Sequence, residues 1–311
     1  MNNQTTKSLI MIRPANFNAN NQTRKSNAFQ SSTTMPANIQ KKVQNEFANM
    51  VKILQKNAVD VIVIEDTPLP QKPDAVFLNN WFSTHDSGVV VLYPLEAENR
   101  RKERRLDIFD TLINKHLFLF SEITNLSLSE HENRYLEGTG SVVLDRKDKL
   151  AYMCYSSRSY SEVLDMFCRK LGYEAVSFHA YDENSNPIYH TNVMMSIGDK
   201  FAVICEESIK NAGEHERVIN SLKNSSREIV NIDYSQLHSF AGNVLEIRNE
   251  KEENLLVISQ QAFNSLNSKQ ITQLEKYVRL VPIAIPNIEL YGGGSVRCMI
   301  AENFLPHEND F

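Results

Sequence analysis

Short apolar runs recur along the chain, each bounded by polar turn residues. Every third run follows a longer stretch whose apolar positions fall three or four apart. The first pattern predicts strands and the second an amphipathic helix. In mid-sequence the order is strand 141–145, polar turn 146–149, strand 150–155, helix 161–171 and strand 175–178. The same order returns at 192–197, 201–205, helix 214–223 and 228–232. It returns again at 243–247, 255–259, a helix over 269–278 capped by Ser268, and 280–285. The unit starts Ser141, Asn192, Asn243 and Ser295 fall at intervals of 51, 51 and 52 residues, and glycine precedes three of them. An earlier copy runs through 75–82, the turn Asp86-Ser87-Gly88, 88–93, a helix from Asn99, and 117–120. A fifth is split: 8–13, helix 38–55 and 59–64 form one part, and 295–301 the other.

A fixed period of this length marks one supersecondary unit used several times. Strands alternating with one helix per unit define an α/β fold. The expectation is five ββαβ modules arranged as the blades of a pseudo-symmetric α/β propeller. Residues 1–311 are expected to form a single catalytic domain. Pairing of its N- and C-terminal strands would close the ring and remove unprotected sheet edges.

Composition narrows the partners. A chain of 311 residues, 41% hydrophobic and 23% charged, can bury a large core. A net charge of -5 without a basic stripe argues against nucleic acid. The run Arg100-Arg101-Lys102-Glu103-Arg104-Arg105 reads as solvated surface. No stretch has the apolar length of a membrane span, and 8–12 is too short for a signal-peptide core. Four cysteines in a chain this long do not make a disulfide framework, so a reducing cytoplasm is the expected location. Cys154, Cys168 and Cys205 read as core residues. The eight histidines lack paired zinc-ligand spacing, and no glycine-rich loop leads into a helix to cradle phosphate. Neither metal nor cofactor is expected. Trp81 and Phe82 read as packing residues and 307–311 as a mobile tail. Segment 15–34 is polar and aperiodic, which fits a lid, a surface loop or a partly disordered stretch. Homo-oligomerisation is left open.

Chemistry concentrates at the unit starts. Tyr291-Gly292-Gly293-Gly294-Ser295-Val296-Arg297-Cys298 places a cysteine behind three glycines, which let backbone approach a ligand. Arg297 puts a cation beside the sulfur, favouring the nucleophilic thiolate. Glu137 lies just before Ser141 and His190 just before Asn192. If each unit start lies at the same end of the axis, a thiol, an imidazole and a carboxylate share one mouth. Such a set supports covalent catalysis with an acid/base partner.

These motifs, with Met11-Ile12-Arg13-Pro14 and Ser156-Ser157-Arg158-Ser159, resemble those of the guanidino-group-modifying enzymes, the penteins. The resemblance covers nearly the whole chain and implies the same five-bladed α/β propeller. It further implies that Cys298 attacks the carbon between the nitrogens and that His190 protonates the leaving nitrogen and then activates water. Glu137 would accept hydrogen bonds from substrate N–H groups. Arg158 and Arg100 stand where arginines hold a substrate carboxylate. Asp74 matches a contact to the amino-acid end, and Gly293 offers its backbone to the substrate.

Three departures bear on the substrate. Arginine-type members carry acidic residues where this chain has Asn79-Asn80, and arginine deiminases carry Asp where it has Asn192. The turn at Glu137 reads Glu-Gly-Thr-Gly rather than Glu-Gly-Gly-Asp. A guanidinium offers only donors and a positive charge, whereas a ureido group is neutral and carries an acceptor. An amide suits the second better than a carboxylate does. Citrulline-hydrolysing members share the Met-Ile-Arg-Pro start and an Asn-Asn-Trp-Phe-Ser-Thr-His run, both present here. The expected function is hydrolysis of the small amino acid citrulline to ornithine, carbon dioxide and ammonia, with Asn80 and Asn192 binding the ureido group. The alternatives are an arginine deiminase or amidinotransferase acting on a guanidino substrate, and a non-catalytic pentein that binds a macromolecule.

Overall fold

Each module is realised as three strands with a helical crossover, which in the last complete module is made of two helices, Gln260–Ser265 and Ser268–Glu275. A computed structural model of the protein describes residues 3–24, 26–31 and 33–310. The strands are β1 (Ser8–Arg13), β2 (Asp60–Glu65), β3 (Phe82–Thr84), β4 (Val89–Leu92), β5 (Glu122–Asn125), β6 (Val143–Asp145), β7 (Leu150–Cys154) and β8 (Glu174–Phe178). They continue as β9 (Met195–Ile197), β10 (Phe201–Ile204), β11 (Glu228–Asn231), β12 (Leu245–Arg248), β13 (Asn254–Ser259), β14 (Arg279–Ile283) and β15 (Ala301–Asn303). They pair into five three-stranded sheets, β15-β1-β2, β3-β4-β5, β6-β7-β8, β9-β10-β11 and β12-β13-β14.

In every sheet the first strand runs antiparallel to the middle one, and the middle strand is parallel to the third. A parallel pair needs a crossover, and helices supply it. Helix Ser161–Leu171 is typical: Val163, Leu164, Phe167 and Cys168 form its buried stripe, and Gly172 ends it in the left-handed region. The first strands lie toward one another: β15 meets β3, and β9 meets both β6 and β12. The chain ends meet in one sheet, with Ser8 opposite Asn303 and Ile10 opposite Ala301. Among the described residues, no helix is long and apolar enough to cross a membrane.

Several boundaries differ from the sequence reading. Ser141 and Asn192 do not begin strands; they lie in helical turns, Gly138–Ser141 and Thr191–Met194, that precede β6 and β9. Asn243 precedes β12 by two residues, and Val296 to Met299 form a turn before β15. Likewise 75–82 is mostly turn, with the short helix Leu78–Asn80 ahead of β3. An apolar run of this length fits a strand or a buried helical turn equally well, and periodicity does not separate them.

The outer strand expected at 117–120 is β5 instead. Leu117 is the left-handed cap of helix Asp107–His116, and Phe118 bridges to His307. That bridge, with Glu308 N donating to Leu117 O at 2.9 Å, packs the tail rather than leaving it loose; Phe311 lies outside the described residues. Asn267, not Ser268, caps helix Ser268–Glu275, through a reciprocal box with Gln270. Trp81 is fully buried against Phe82 and Phe109.

Candidate active site

The turns ahead of the five inner strands meet at one end of the ring and are tied to one another. Asn80 Nδ2 donates to Glu137 O at 3.4 Å, Thr191 Oγ1 to Ser141 O at 2.6 Å, and Asn243 Nδ2 to Asn192 O at 2.9 Å. Close approach depends on Gly138, which has φ +50°; a Cβ there would lie 2.2 Å from Asn79 O.

The site is built on these turns. His190 Nε2 lies 2.8 Å from Glu137 Oε2. Arg158 Nη1 and Arg100 Nη1 approach the same carboxylate oxygen at 3.4 and 3.7 Å, and Glu96 N donates to Oε1 at 3.0 Å. Burial alone would raise the pKa of Glu137. Arg158, the His190 hydrogen bond and Arg100 outweigh burial and hold the carboxyl well below the usual range. Burial pushes His190 down to about 4, against the pull of Glu137. The imidazole is therefore neutral at neutral pH. An ionised carboxylate only accepts, so Nε2 carries the hydrogen and Nδ1 is left as a base.

Cys298 is 3% exposed. Its Sγ lies 3.3 Å from Asn243 Nδ2 and 3.7 Å from Asn192 Nδ2. Burial raises its pKa, opposed first by the Ser295 backbone N–H and then by Asn243, Arg297 and Asn192. Arg297 is not the free cation expected beside the sulfur. Its guanidinium donates to Ile300 O at 3.0 Å and to Glu302 Oε2 at 2.7 Å.

Arg100 is not solvated surface. It is 2% exposed, forks onto Glu103 at 3.0 and 2.9 Å, and donates to Asn80 Oδ1 at 2.9 Å. Its basic neighbours are paired separately: Arg101 and Arg104 with Glu130, and Arg105 with Asp107. Asp74 lies beside Arg100 at 3.6 Å, and its buried Oδ1 has no hydrogen-bond partner among the described residues.

Segment 15–34 supplies a cover, although Lys25 and Ser32 lie outside the described residues. Thr23 O and Ser26 Oγ accept from Arg158 Nη2 at 3.0 and 2.7 Å. Asn20 Nδ2 donates to Asp74 at 2.8 Å, and Asn27 Nδ2 to Gly293 O at 3.1 Å. Tyr189 Oη also donates to Gly293 O, at 2.7 Å. The glycines thus admit the cover and Phe77 rather than open space: a Cβ on Gly293 would meet Asn27 Nδ2 at 2.6 Å, and one on Gly292 would meet Phe77 at 2.7 Å. Beneath the cover, Thr23, Asn27, Asp74, Asn80, Arg100, Arg158, His190, Gly293 and Cys298 line a cavity of about 20 Å³. That is room for about one water, so an amino acid enters only when the cover shifts.

The fold therefore brings together every residue singled out from the sequence, with Glu137 behind His190 and Asn192 beside the sulfur. Asn243, Thr23, Asn27 and Tyr189 were missed. Asn243 had a signal, because it occupies the same repeat position as Asn192. The cover residues had none.

Five ββαβ blades around such a mouth define the guanidino-group-modifying enzymes, the pentein superfamily. The family model described as N,N dimethylarginine dimethylhydrolase, eukaryotic, matches residues 13–305, and the chain belongs to this hydrolase family. No curated protein matches the sequence. Among solved structures, the substrate-bound N-terminal domain of ArgZ, an arginine dihydrolase from the ornithine-ammonia cycle in cyanobacteria, is 16% identical. That match covers 95% of this chain and 97% of the domain, with a TM-score of 0.72. The longer apo ArgZ chain is 17% identical with a TM-score of 0.71; 97% of this chain matches only 41% of it. A dimethylarginine dimethylaminohydrolase adduct with 4-chloro-2-hydroxymethylpyridine is 14% identical over 97% of this chain and 100% of that one, with a TM-score of 0.64. At these identities the likeness establishes the fold.

Proposed function

We propose that the protein hydrolyses the ureido group of citrulline, with residues 1–311 acting as one catalytic domain. The observation that carries this reading is the chemistry around the sulfur. Asn192 and Asn243 face Sγ, and Asn80 lies across the cavity. A desolvated guanidinium needs carboxylates there, and the charge of Glu137 is already matched by Arg158 and Arg100, with neutral His190 donating to it. A neutral ureido group fits amides, which donate to its oxygen and accept from its nitrogens.

The amino-acid end is held first. Asp74 Oδ1, a buried acceptor without a hydrogen-bond partner among the described residues, suits the substrate ammonium. Arg158 suits the carboxylate once Thr23 O and Ser26 Oγ leave it. Arg100 keeps most of its donors on Glu103 and Asn80, so its contribution is mainly positive charge. Sγ then bonds to the ureido carbon, and the thiol proton passes to His190 Nδ1. The tetrahedral adduct breaks its bond to the terminal nitrogen, which takes that proton and leaves as ammonia. The result is a thiocarbamate joining Cys298 to the ornithine skeleton. Water gives a proton to His190, and the hydroxide displaces sulfur, which recovers the proton. The released carbamate decomposes to ornithine and carbon dioxide.

A guanidino substrate is the second reading, favoured by the dimethylarginine-hydrolysing family and by the arginine dihydrolase among the structural matches. Ammonia release under matched conditions separates the two. Citrulline is expected to turn over faster than arginine. Asn80→Asp, which adds negative charge to the cavity wall, is expected to shift the ratio toward arginine by roughly tenfold or more. Faster arginine turnover by the wild type rejects the substrate assignment, and an unmoved ratio in Asn80→Asp rejects the charge argument.

A further inference from the structure

Burial favours the thiol form of Cys298, and the adjacent cation is directed elsewhere, onto Ile300 O and Glu302. Stabilisation of a thiolate must then come from the protein. Asn243 is placed to provide it. Its backbone N–H is fixed on Phe240 O at 2.9 Å. One amide hydrogen goes to Asn192 O at 2.9 Å and the other is within reach of Sγ, 3.3 Å from Nδ2; the thiol also lies 3.6 Å from Asn243 Oδ1, a contact it can donate to only while protonated. Gly242 lets this turn sit against the neighbouring blade, since a Cβ there would lie 2.4 Å from Val193 O. The donor is thus held rigidly and needs no counter-ion.

We propose that Asn243, assisted by Asn192, aims the sulfur into the cavity and stabilises the Cys298 thiolate as its proton passes to His190. The amide donates to the charged sulfur, and hydrogen bonds to an ionised partner are among the stronger ones. This assignment rests on Cys298 as the nucleophile and not on which substrate it attacks.

The test is the rate of iodoacetamide alkylation of the full chain as a function of pH, read on the Cys298 peptide by mass spectrometry. Asn243→Ala and the isosteric Asn243→Asp are expected to raise the titration midpoint by about one unit. Below the midpoint that is about a tenfold slower reaction. Asn243→Ser, which keeps a shorter donor, is expected to recover part of the shift. A general loosening of the turn, or altered access under the cover, changes the rate at every pH but leaves the midpoint in place. Thermal melting identifies which variants are folded, and the isosteric Asp variant carries the test if Ala is not. An unmoved midpoint overturns the role of Asn243 while leaving Cys298 as nucleophile. No alkylation of wild-type Cys298 at any pH overturns the catalytic reading itself.

Discussion

Cys298→Ala removes hydrolysis, with turnover reduced by at least roughly a thousandfold, while the protein stays folded. The size of the effect follows from the site. The sulfur supplies the electron pair that forms the covalent intermediate, and no described neighbour replaces it: Asn192 and Asn243 are amides, and His190 is directed at Glu137. The structural cost is small, because the change deletes one buried atom from a turn held by backbone bonds from Cys298 N to Ser295 O and Met299 N to Val296 O. A loss of about 1 kcal/mol is expected. Ammonia release and thermal melting together check it. Retained turnover would require another nucleophile.

Glu137→Gln is expected to damage both stability and activity. The carboxylate is fully buried and balances Arg158 and Arg100, each only 2% exposed. Neutralising it leaves those guanidinium groups without their shared partner, at a cost of about 3–5 kcal/mol. It also replaces an acceptor-only carboxylate with an amide that presents either a donor or an acceptor to Nε2, so the tautomer of His190 is no longer fixed and the rate constant should fall by roughly 10²–10⁴. The pH profile adds a signature. In the wild type, His190 works as a base only when neutral, so activity is lost as the pH falls through about 4. Glu137 raises the proton affinity of His190, so removing its charge moves that acid limb to lower pH. An unmoved limb, with stability unchanged, would mean that the pair is not coupled as the 2.8 Å contact implies.

The modular plan was legible because a blade must bury its faces against the next, which repeats the same apolar pattern every 51 or 52 residues. Crossover helices such as Ser161–Leu171 were readable from their stripe. The inner strands were not, because three- and four-residue strands following a buried turn leave no alternation to detect. Cys298, His190 and Glu137 were legible because they fall at repeat starts. Arg100 was hidden in a basic run whose other arginines make partly exposed ion pairs, and only folding selects which arginine turns inward. The cover from Asn20 to Gln30 was legible only as a polar segment for which a lid was one of three readings, and its contacts were hidden for a different reason. Its residues make individual polar contacts to distant blades rather than forming a periodic face.

The decisive experiment is a single-turnover reaction of the wild-type protein with citrulline, quenched in acid and digested for mass spectrometry. The expected result is an adduct that has lost ammonia and retains the ornithine skeleton, confined to the Cys298 peptide and decaying as ornithine forms. Turnover with an unmodified Cys298 peptide throughout, or an adduct on any other residue, would contradict a mouth at which sulfur, imidazole and carboxylate act as one centre.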